Sequence, residues 1–357
     1  MSQQKKTKKT PWPQRILYAR VSSFSILVIA LIVAVVTFFV TKGIDLSNSE
    51  KQNKDNASGS EESQYEIKRA QGFSFIKPLI SAKPVNEYDG YQDIKESAEE
   101  VIKNFQNSGV ISSASVYFRD FDKSNWFCIN GDIKYSPGSI LKVPAMMTIL
   151  KMEESRPELL NKVLAFDALP PKDKDVHIFS KSLQHGKSYT IRELLYYMIA
   201  YSDNNAPRIL DREIDKAGFA QMFVDLGLAK PDWNGKSYPV TVKECSVFLE
   251  ALFNASYLNE KNSEYAMSLL TKSDFKDGIV KGIGNPNVLI AHKFGEAGTN
   301  TNMELHETAI FYINNKPYLI TIMTRGNNNI DMFKLEPVIQ SIARQIYNGV
   351  VAKGNNI

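Results

Sequence analysis

Cysteine and histidine are scarce in this chain of 357 residues, which contains two cysteines and four histidines. Cys128 and Cys245 supply neither the disulfide framework of a small secreted domain nor the clustered spacing of a zinc site. We interpret both as buried free thiols. The histidines also lack metal-ligand spacing, so no zinc centre is predicted from His177, His185, His292 and His306.

Two further absences exclude other classes of protein. No serine lies in a Gly-x-Ser-x-Gly sequence, which excludes the nucleophile elbow of an α/β-hydrolase. A basic surface is also missing, because six positive charges and no acid lie in residues 1–20, whereas the whole chain carries only +4. The remainder is therefore slightly acidic, with a net charge of −2. We predict no nucleic-acid partner, since such a footprint needs basic residues clustered on the folded domain.

One long hydrophobic run is present, from residue 21 to residue 41, and it contains no charge. Its 21 residues match the length needed to span a bilayer, and the Lys and Arg excess precedes it. We predict a cytoplasmic basic tail (1–20), an anchor in the cell membrane (21–41), a disordered linker (42–64) and an extracytoplasmic domain (65–357). A cleaved signal peptide is the alternative, but no small-x-small site closes the run.

The domain begins and ends with strand patterns, and helical patterns lie between them. Apolar residues at helical spacing from Ile94 to Phe105 predict a first helix. Short strands follow at 114–121 and 125–129, and three more are predicted at 288–293, 306–313 and 318–324. Helices are predicted at 241–254, 263–270 and 333–350. This order predicts one sheet built from both chain ends, with an inserted helical lobe.

A candidate nucleophile and base occur together at Ser139 and Lys142. The turn Pro137-Gly138 precedes an apolar helical pattern that should open on Ser139, and residues three apart share a helix face, so Ser139 Oγ and the Lys142 amine come within reach. Pro144 should kink this helix or tighten its first turn. Ser-x-x-Lys occurs four times in the chain, so this motif alone is weak.

Two further motifs give it context. Ser202-Asp203-Asn204 follows a helix that opens with the capping box Thr190 to Glu193, and Lys293-Phe294-Gly295 ends a strand. At these residues the chain resembles the penicillin-recognising serine hydrolases, most closely the class A β-lactamases, whose signature is Ser-x-x-Lys, Ser-Asp-Asn and Lys-(Thr/Ser)-Gly. The resemblance implies an α/β plus all-α, β-lactamase/transpeptidase-like fold. An enzyme of this kind requires no metal or organic cofactor.

The resemblance also implies catalytic roles. Ser139 would attack a carbonyl and become acylated, while Lys142 would take its proton. Ser202 would pass a proton to the leaving nitrogen, and the backbone N–H groups of Ser139 and Glu296 would form the oxyanion hole. Lys142 and Lys293 in one cleft should lower each other's pKa, which favours a neutral Lys142.

Substrate binding is implied for Asn204, Lys293 and Gly295, with Asn204 holding an amide and Lys293 facing a carboxylate. Phe294 departs from the pattern, because the family has a hydroxyl residue there and a hydrogen bond to that carboxylate is lost. The family's Glu-x-x-Leu-Asn loop, whose glutamate activates the deacylating water, has no counterpart between Asn205 and Thr241. Glu296 could replace it as the base or could pair with Lys293, and pairing is the favoured interpretation.

Three functions therefore remain open at this point. The first is a serine hydrolase acting on β-lactams or on cell-wall-peptide-like substrates, with a monomeric catalytic domain. The second is a D,D-peptidase-like acyltransferase with slow deacylation. The third is an inactive binding module on the same fold, which Phe294 and the missing glutamate favour and the intact motifs oppose. For Ser139 and Lys142 alone, an ordinary helix N-terminus with a solvated lysine would be the simpler interpretation.

Overall fold

The computed structural model describes residues 65–70, 75, 78–167, 181–232, 238–299 and 301–354. The chain divides into two units, residues 1–63 and residues 64–357, and this description concerns the second. The predicted tail, anchor and linker lie outside the described residues. Among the residues that are described, no helix has both the length and the apolar character needed to cross a membrane.

A five-stranded antiparallel sheet forms the centre of the domain. Its strands are β3 (Ile111–Asp120), β4 (Trp126–Ile129), β7 (Leu289–Ala297), β8 (Glu304–Ile313) and β9 (Lys316–Gly326). They lie in the order β4-β3-β9-β8-β7 across the sheet. The central pairing joins β3 to β9, so strands from the N-terminal and C-terminal parts of the domain meet in the middle of the sheet. The predicted sheet from both chain ends is confirmed. β7 runs to Ala297, so the third motif lies within the strand and not at its end.

One face of the sheet packs against the terminal helices α1 (Gln92–Asn107) and α9 (Glu336–Gly354). Ile94, Ala98 and Ile102 point into this core, as the helical period predicts. The last helix begins three residues later than predicted, because a 3-10 turn at Met332–Lys334 precedes it. The short helix α8 (Ile279–Ile283) contributes to the same core.

The other face carries the helical lobe and a larger core. Two capping boxes fix helix starts there: Thr190 and Glu193 open α3 (Ile191–Ala200), and Thr241 and Glu244 open α6 (Val242–Phe253). Cys245 on α6 is a buried free thiol, like Cys128 on β4, which confirms the interpretation of both cysteines. The elements of the lobe are α2 (Lys142–Glu153), β5 (Val163–Ala165), β6 (Ser188–Thr190), α3 (Ile191–Ala200), α4 (Asn205–Leu210), α5 (Lys216–Asp225), α6 (Val242–Phe253) and α7 (Glu260–Leu270).

A hairpin that the sequence patterns did not reveal precedes the first helix. Its strands are β1 (Tyr65–Arg69) and β2 (Leu79–Pro84). Two side chains of the sheet hold β2: Arg119 donates to Ala82 O at 2.8 Å, and Trp126 Nε1 donates to Pro84 O at 2.7 Å. The hairpin therefore belongs to the folded domain.

Candidate active site

The turn that carries Ser139 is tighter than the predicted helix start. Residues Gly138–Leu141 form a 3-10 turn, and the α-helix α2 begins only at Lys142. Pro144 is the third residue of α2, where the backbone N–H would have no partner within the helix. The proline therefore costs α2 no hydrogen bond, and of the two predicted effects the structure has the tightened first turn.

Two glycines allow this turn to pack backbone against backbone on β7. Gly138 has a φ of +55°, and a Cβ atom there would lie 2.2 Å from Glu296 O. A Cβ atom at Gly295 would lie 2.2 Å from Pro137 O. Both contacts are with backbone atoms that cannot swing aside. The glycines thus bring the nucleophile turn directly against the strand that contains Glu296.

A buried polar network holds the residue three places before the nucleophile. Ser136 N donates to Glu304 Oε2 at 2.8 Å, and Arg325 Nε donates to Glu304 Oε1 at 2.6 Å. Thr324 N donates to His306 Nδ1 at 3.2 Å, which leaves His306 Nε2 to donate to Ser136 O at 3.0 Å. Burial raises the pKa of Glu304, but the contact with His306 Nε2 at 3.5 Å, followed by the bonds from Arg325 and Ser136 N, outweighs burial and leaves the pKa below its usual value. Sequence reasoning missed this network because its members are far apart in the chain.

Ser202 lies in a turn that Asp203 locks in place. Helix α3 ends at Ala200, and Ser202 adopts a left-handed φ of +53°, which is costly for a residue with a Cβ atom. The Asp203 carboxylate is almost fully buried and ties the C-terminal end of this turn to the segment that contains Ser182 and Leu183. It accepts hydrogen bonds from Asn205 N at 2.8 Å, Ala206 N at 2.7 Å, Leu183 N at 3.1 Å and Ser182 Oγ at 2.5 Å.

Two lysine amines meet at this turn. Lys142 Nζ donates to Ser202 O at 2.5 Å and to Asn204 Oδ1 at 2.7 Å, and it lies 3.2 Å from Ser202 Oγ. Lys293 Nζ donates to Ser202 Oγ at 2.8 Å. The Ser202 hydroxyl therefore lies between two amines, one from the nucleophile helix and one from the sheet. Among the hydrogen bonds of the described residues, none joins Ser139 to Lys142, although both side chains reach the same cleft.

Burial is the main cause of the lowered pKa of both lysines. It lowers the pKa of Lys142 to about 7, against the opposing negative charges of Asp203 and Glu296. Lys293 is 0% exposed, and burial together with the nearby Lys142 charge holds its pKa well below the usual value. The predicted mutual effect thus holds for Lys293, whereas burial does the lowering at Lys142.

An open cleft of about 420 Å³ lies beside these groups. Ser139, Lys142, Asn204 and Glu296 line it, so these four predicted site residues come together. Ser202, Lys293 and Gly295 are buried next to it and are not among the lining residues. Of the described residues that line the cleft, Lys142 and Glu296 are the charged ones. The full lining is Gly138, Ser139, Leu141, Lys142, Ala145, Asn204, Pro207, Glu296, Ala297, Gly298 and Met303.

Comparison with solved structures places this arrangement among proteins of one fold. A class A β-lactamase from Mycobacterium abscessus aligns with a TM-score of 0.60 and 17% identity, covering 72% of this chain and 99% of that one. A β-lactamase from Sphaerobacter thermophilus aligns with a TM-score of 0.60 and 16% identity, covering 73% and 98%. A mutant of PBP-A in an acyl-enzyme complex with penicillin G aligns with a TM-score of 0.59 and 17% identity, covering 72% and 97%.

A comparison with curated protein sequences gave no match. The sequence model of the β-lactamase enzyme family, in contrast, matches residues 95–350. This range contains all three motifs and most of both cores of the domain, and it is well over half of the chain. The chain therefore belongs to the β-lactamase enzyme family, and its fold is that of class A β-lactamases.

Proposed function

We propose that the protein is a membrane-anchored, extracytoplasmic enzyme that forms an acyl-serine intermediate with β-lactams or with cell-wall-peptide-like substrates. One observation carries this proposal: the Lys142 amine is buried, has a pKa of about 7, and reaches the cleft that the Ser139 side chain also lines. A lysine can serve as a base at neutral pH only when its pKa is lowered in this way.

We propose the following acylation step. A neutral Lys142 uses its two N–H groups for Ser202 O and Asn204 Oδ1, and its lone pair, which otherwise lies toward Ser202 Oγ at 3.2 Å, accepts the Ser139 proton. Ser139 Oγ then forms a bond to the substrate carbonyl carbon, and the carbonyl oxygen becomes an oxyanion. In our proposal the backbone N–H groups of Ser139 and Glu296 stabilise that oxyanion.

Collapse of the tetrahedral intermediate breaks the bond from carbon to nitrogen, and the leaving nitrogen needs a proton. Ser202 Oγ lies 3.2 Å from Lys142 Nζ and 2.8 Å from Lys293 Nζ. Ser202 can therefore give its own proton to the leaving nitrogen and receive from Lys142 the proton that came from Ser139, which returns Lys142 to the neutral state. The acyl group stays on Ser139 Oγ.

Slow deacylation is favoured by the composition of the cleft. Of the described residues that line it, Glu296 is the acidic one, and it follows the third motif directly. The loop glutamate that activates water in class A enzymes has no sequence counterpart here. We therefore propose, as the second candidate, a D,D-peptidase-like enzyme that passes its acyl group to an amine or to water slowly.

Intact-protein mass spectrometry with penicillin G tests the acyl-serine step. We expect a covalent adduct that persists for minutes or longer and that is lost in Ser139→Ala. Ser273→Ala is the matched control, because Ser273 also stands three residues before a lysine but Lys276 donates only to its backbone oxygen. Turnover without an accumulated adduct would assign a fast deacylating base, and no adduct at any concentration would leave the inactive binding module.

The proposed location rests on the uncharged run at residues 21–41 and the six cations before it. The domain should face outward as a monomer, with the N-terminus in the cytoplasm. Protease added to intact cells should release the domain by cleavage within residues 48–64. If sealed cells protect the domain and the basic tail is cut instead, the orientation is the opposite one.

A further inference from the structure

A second cavity, of about 350 Å³, lies at the end of the sheet away from the open cleft. Asp120 of β3 and Tyr318 of β9, which pair with each other, line this cavity. The open cleft adjoins Glu296 of β7, whose neighbours across the sheet are Leu305 of β8 and Thr324 of β9. Tyr318 and Thr324 are six positions apart in one strand, which places the two ends of the sheet roughly 20 Å apart. No described residue lines both cavities, so the second one is separate from the candidate active site.

A buried acid, Asp120, forms part of the wall of this second cavity and is only 3% exposed. Its carboxylate accepts hydrogen bonds from the Tyr91 hydroxyl at 2.8 Å and from Lys123 N at 3.1 Å. These bonds use two of the roughly four acceptor positions of a carboxylate. None of the ion pairs formed by the described residues includes Asp120. Because buried charges in proteins are normally paired, this carboxylate is suited to the cation of a ligand in the cavity.

Three tyrosines line the cavity together with this acid, namely Tyr88, Tyr91 and Tyr318. Tyr91 and Tyr318 are buried, and the half-exposed Tyr88 meets Tyr91 edge to face with the ring centroids 5.1 Å apart. No lysine or arginine of the described residues lies over any of these three rings. Aromatic faces attract cations, so the rings and the carboxylate together favour an ammonium group.

Lysine side chains line the open end of the same cavity. Lys123 and Lys316 are exposed there, as is Asp122, and Lys353 pairs with Asp93 at 2.9 Å. A ligand with positive charge alone would be repelled by these lysines, whereas a carboxylate at its outer end would be attracted to them. The acid at the buried end and the lysines at the open end therefore match a ligand that carries both charges.

We propose that this second cavity binds an amino acid or a short peptide with a free ammonium group and a free carboxylate. The ammonium group donates to the Asp120 carboxylate among the tyrosine rings, and the ligand carboxylate faces Lys123 and Lys316. A volume of about 350 Å³ lies within the range of small-molecule sites in proteins. This binding site goes beyond the proposed acyl-serine function and does not depend on it.

Three matched probes test the two charges of the ligand separately. They are L-alanyl-L-alanine, its N-acetyl derivative, which lacks the ammonium group, and its C-terminal amide, which lacks the carboxylate. Binding to the full chain in detergent micelles is measured by ligand-observed NMR titration. We expect the N-acetyl derivative to bind at least about tenfold more weakly than the dipeptide, because it loses hydrogen bonds to a buried charge. The amide should bind about two- to fivefold more weakly, because its partners are exposed lysines.

Variants assign the binding to this cavity. Asp120→Asn removes the charge at nearly constant shape and should weaken dipeptide binding at least about tenfold. Asp225→Asn is the matched control, because Asp225 lies on α5 in the helical lobe and bonds to Gln221 at 2.9 Å, and it should leave the affinity unchanged. Lys316→Gln changes an exposed side chain and should weaken the dipeptide about two- to fivefold without affecting the amide.

Thermal unfolding followed by circular dichroism shows whether each variant is folded. The proposal would be overturned by a wild type that binds the N-acetyl derivative or the amide as tightly as the dipeptide, or that binds no dipeptide at all. A folded Asp120→Asn with unchanged dipeptide affinity would also overturn it. If Asp120→Asn does not fold, an unchanged dipeptide affinity in Lys316→Gln decides against the proposal in the same way.

Discussion

The protonation state of Lys142 decides whether Ser139 can be activated at neutral pH. With a pKa of about 7, about half of the Lys142 amines are neutral at pH 7. A solvated lysine with the ordinary value of 10.5 would be neutral in only about three molecules in ten thousand. Burial of this one side chain therefore raises the population of the active base by about 10³.

The acylation rate should follow that population. Because the neutral amine is the base, the rate should rise with pH and reach half of its maximum near pH 7. Stopped-flow or quenched mass spectrometry with penicillin G between pH 5 and pH 9 measures this limb. Arginine cannot lose its proton, so Lys142→Arg should reduce the rate by about 10² to 10⁴ and abolish the limb.

Lys151→Arg is the matched control, because Lys151 lies on the same helix, is half-exposed and pairs with Glu154 at 2.7 Å. It should leave both the rate and the pH limb unchanged. A half-maximal rate above pH 9, or a Lys142→Arg variant that keeps a tenth of the wild-type rate, would refute the assignment of Lys142 as the base.

Two further predictions concern the packing around the nucleophile turn. Gly295→Ala places a Cβ atom 2.2 Å from Pro137 O, so the strand and the turn must separate, and we expect acylation to be at least about 10² slower. Gly354→Ala is the control, because its Cβ atom would have no neighbour within 4 Å, and it should leave the acylation rate unchanged. A near-normal acylation rate in Gly295→Ala would contradict the close packing. Glu304→Gln loses an acceptor for Ser136 N and Arg325, at a cost of about 1 to 3 kcal/mol of unfolding free energy at pH 7. Because the folded-state pKa of Glu304 is lowered, the carboxylate stabilises the fold fully above the unfolded-state pKa, and this stabilisation is lost as the pH falls through the folded-state pKa. The free energies of unfolding of wild type and variant, measured by urea unfolding, should therefore converge in acid. A difference that does not change with pH would contradict this account.

Local sequence signals determined most of the secondary structure. The 3.6-residue period of the first helix and the capping box at Thr190 act between residues three or four apart, so they are visible in the sequence and were confirmed at Gln92–Asn107 and Thr190. The ordered motifs, each placed near a recognisable element, were enough to indicate the family. Element ends were less accurate, as at Ser139 and Ala297, because 3-10 turns and strand extensions depend on tertiary contacts.

The tertiary structure alone decided how the site residues meet and which of them are accessible. Lys142 and Ser202 are 60 residues apart, Lys293 and Ser202 are 91 apart, and Ser136 and Glu304 are 168 apart. No local pattern encodes such contacts, since burial of an amine depends on what the rest of the chain packs around it. The sequence thus supplied the chemical groups of the site, whereas the fold supplied the burial of Lys142 and Lys293 and the lowered pKa of Lys142.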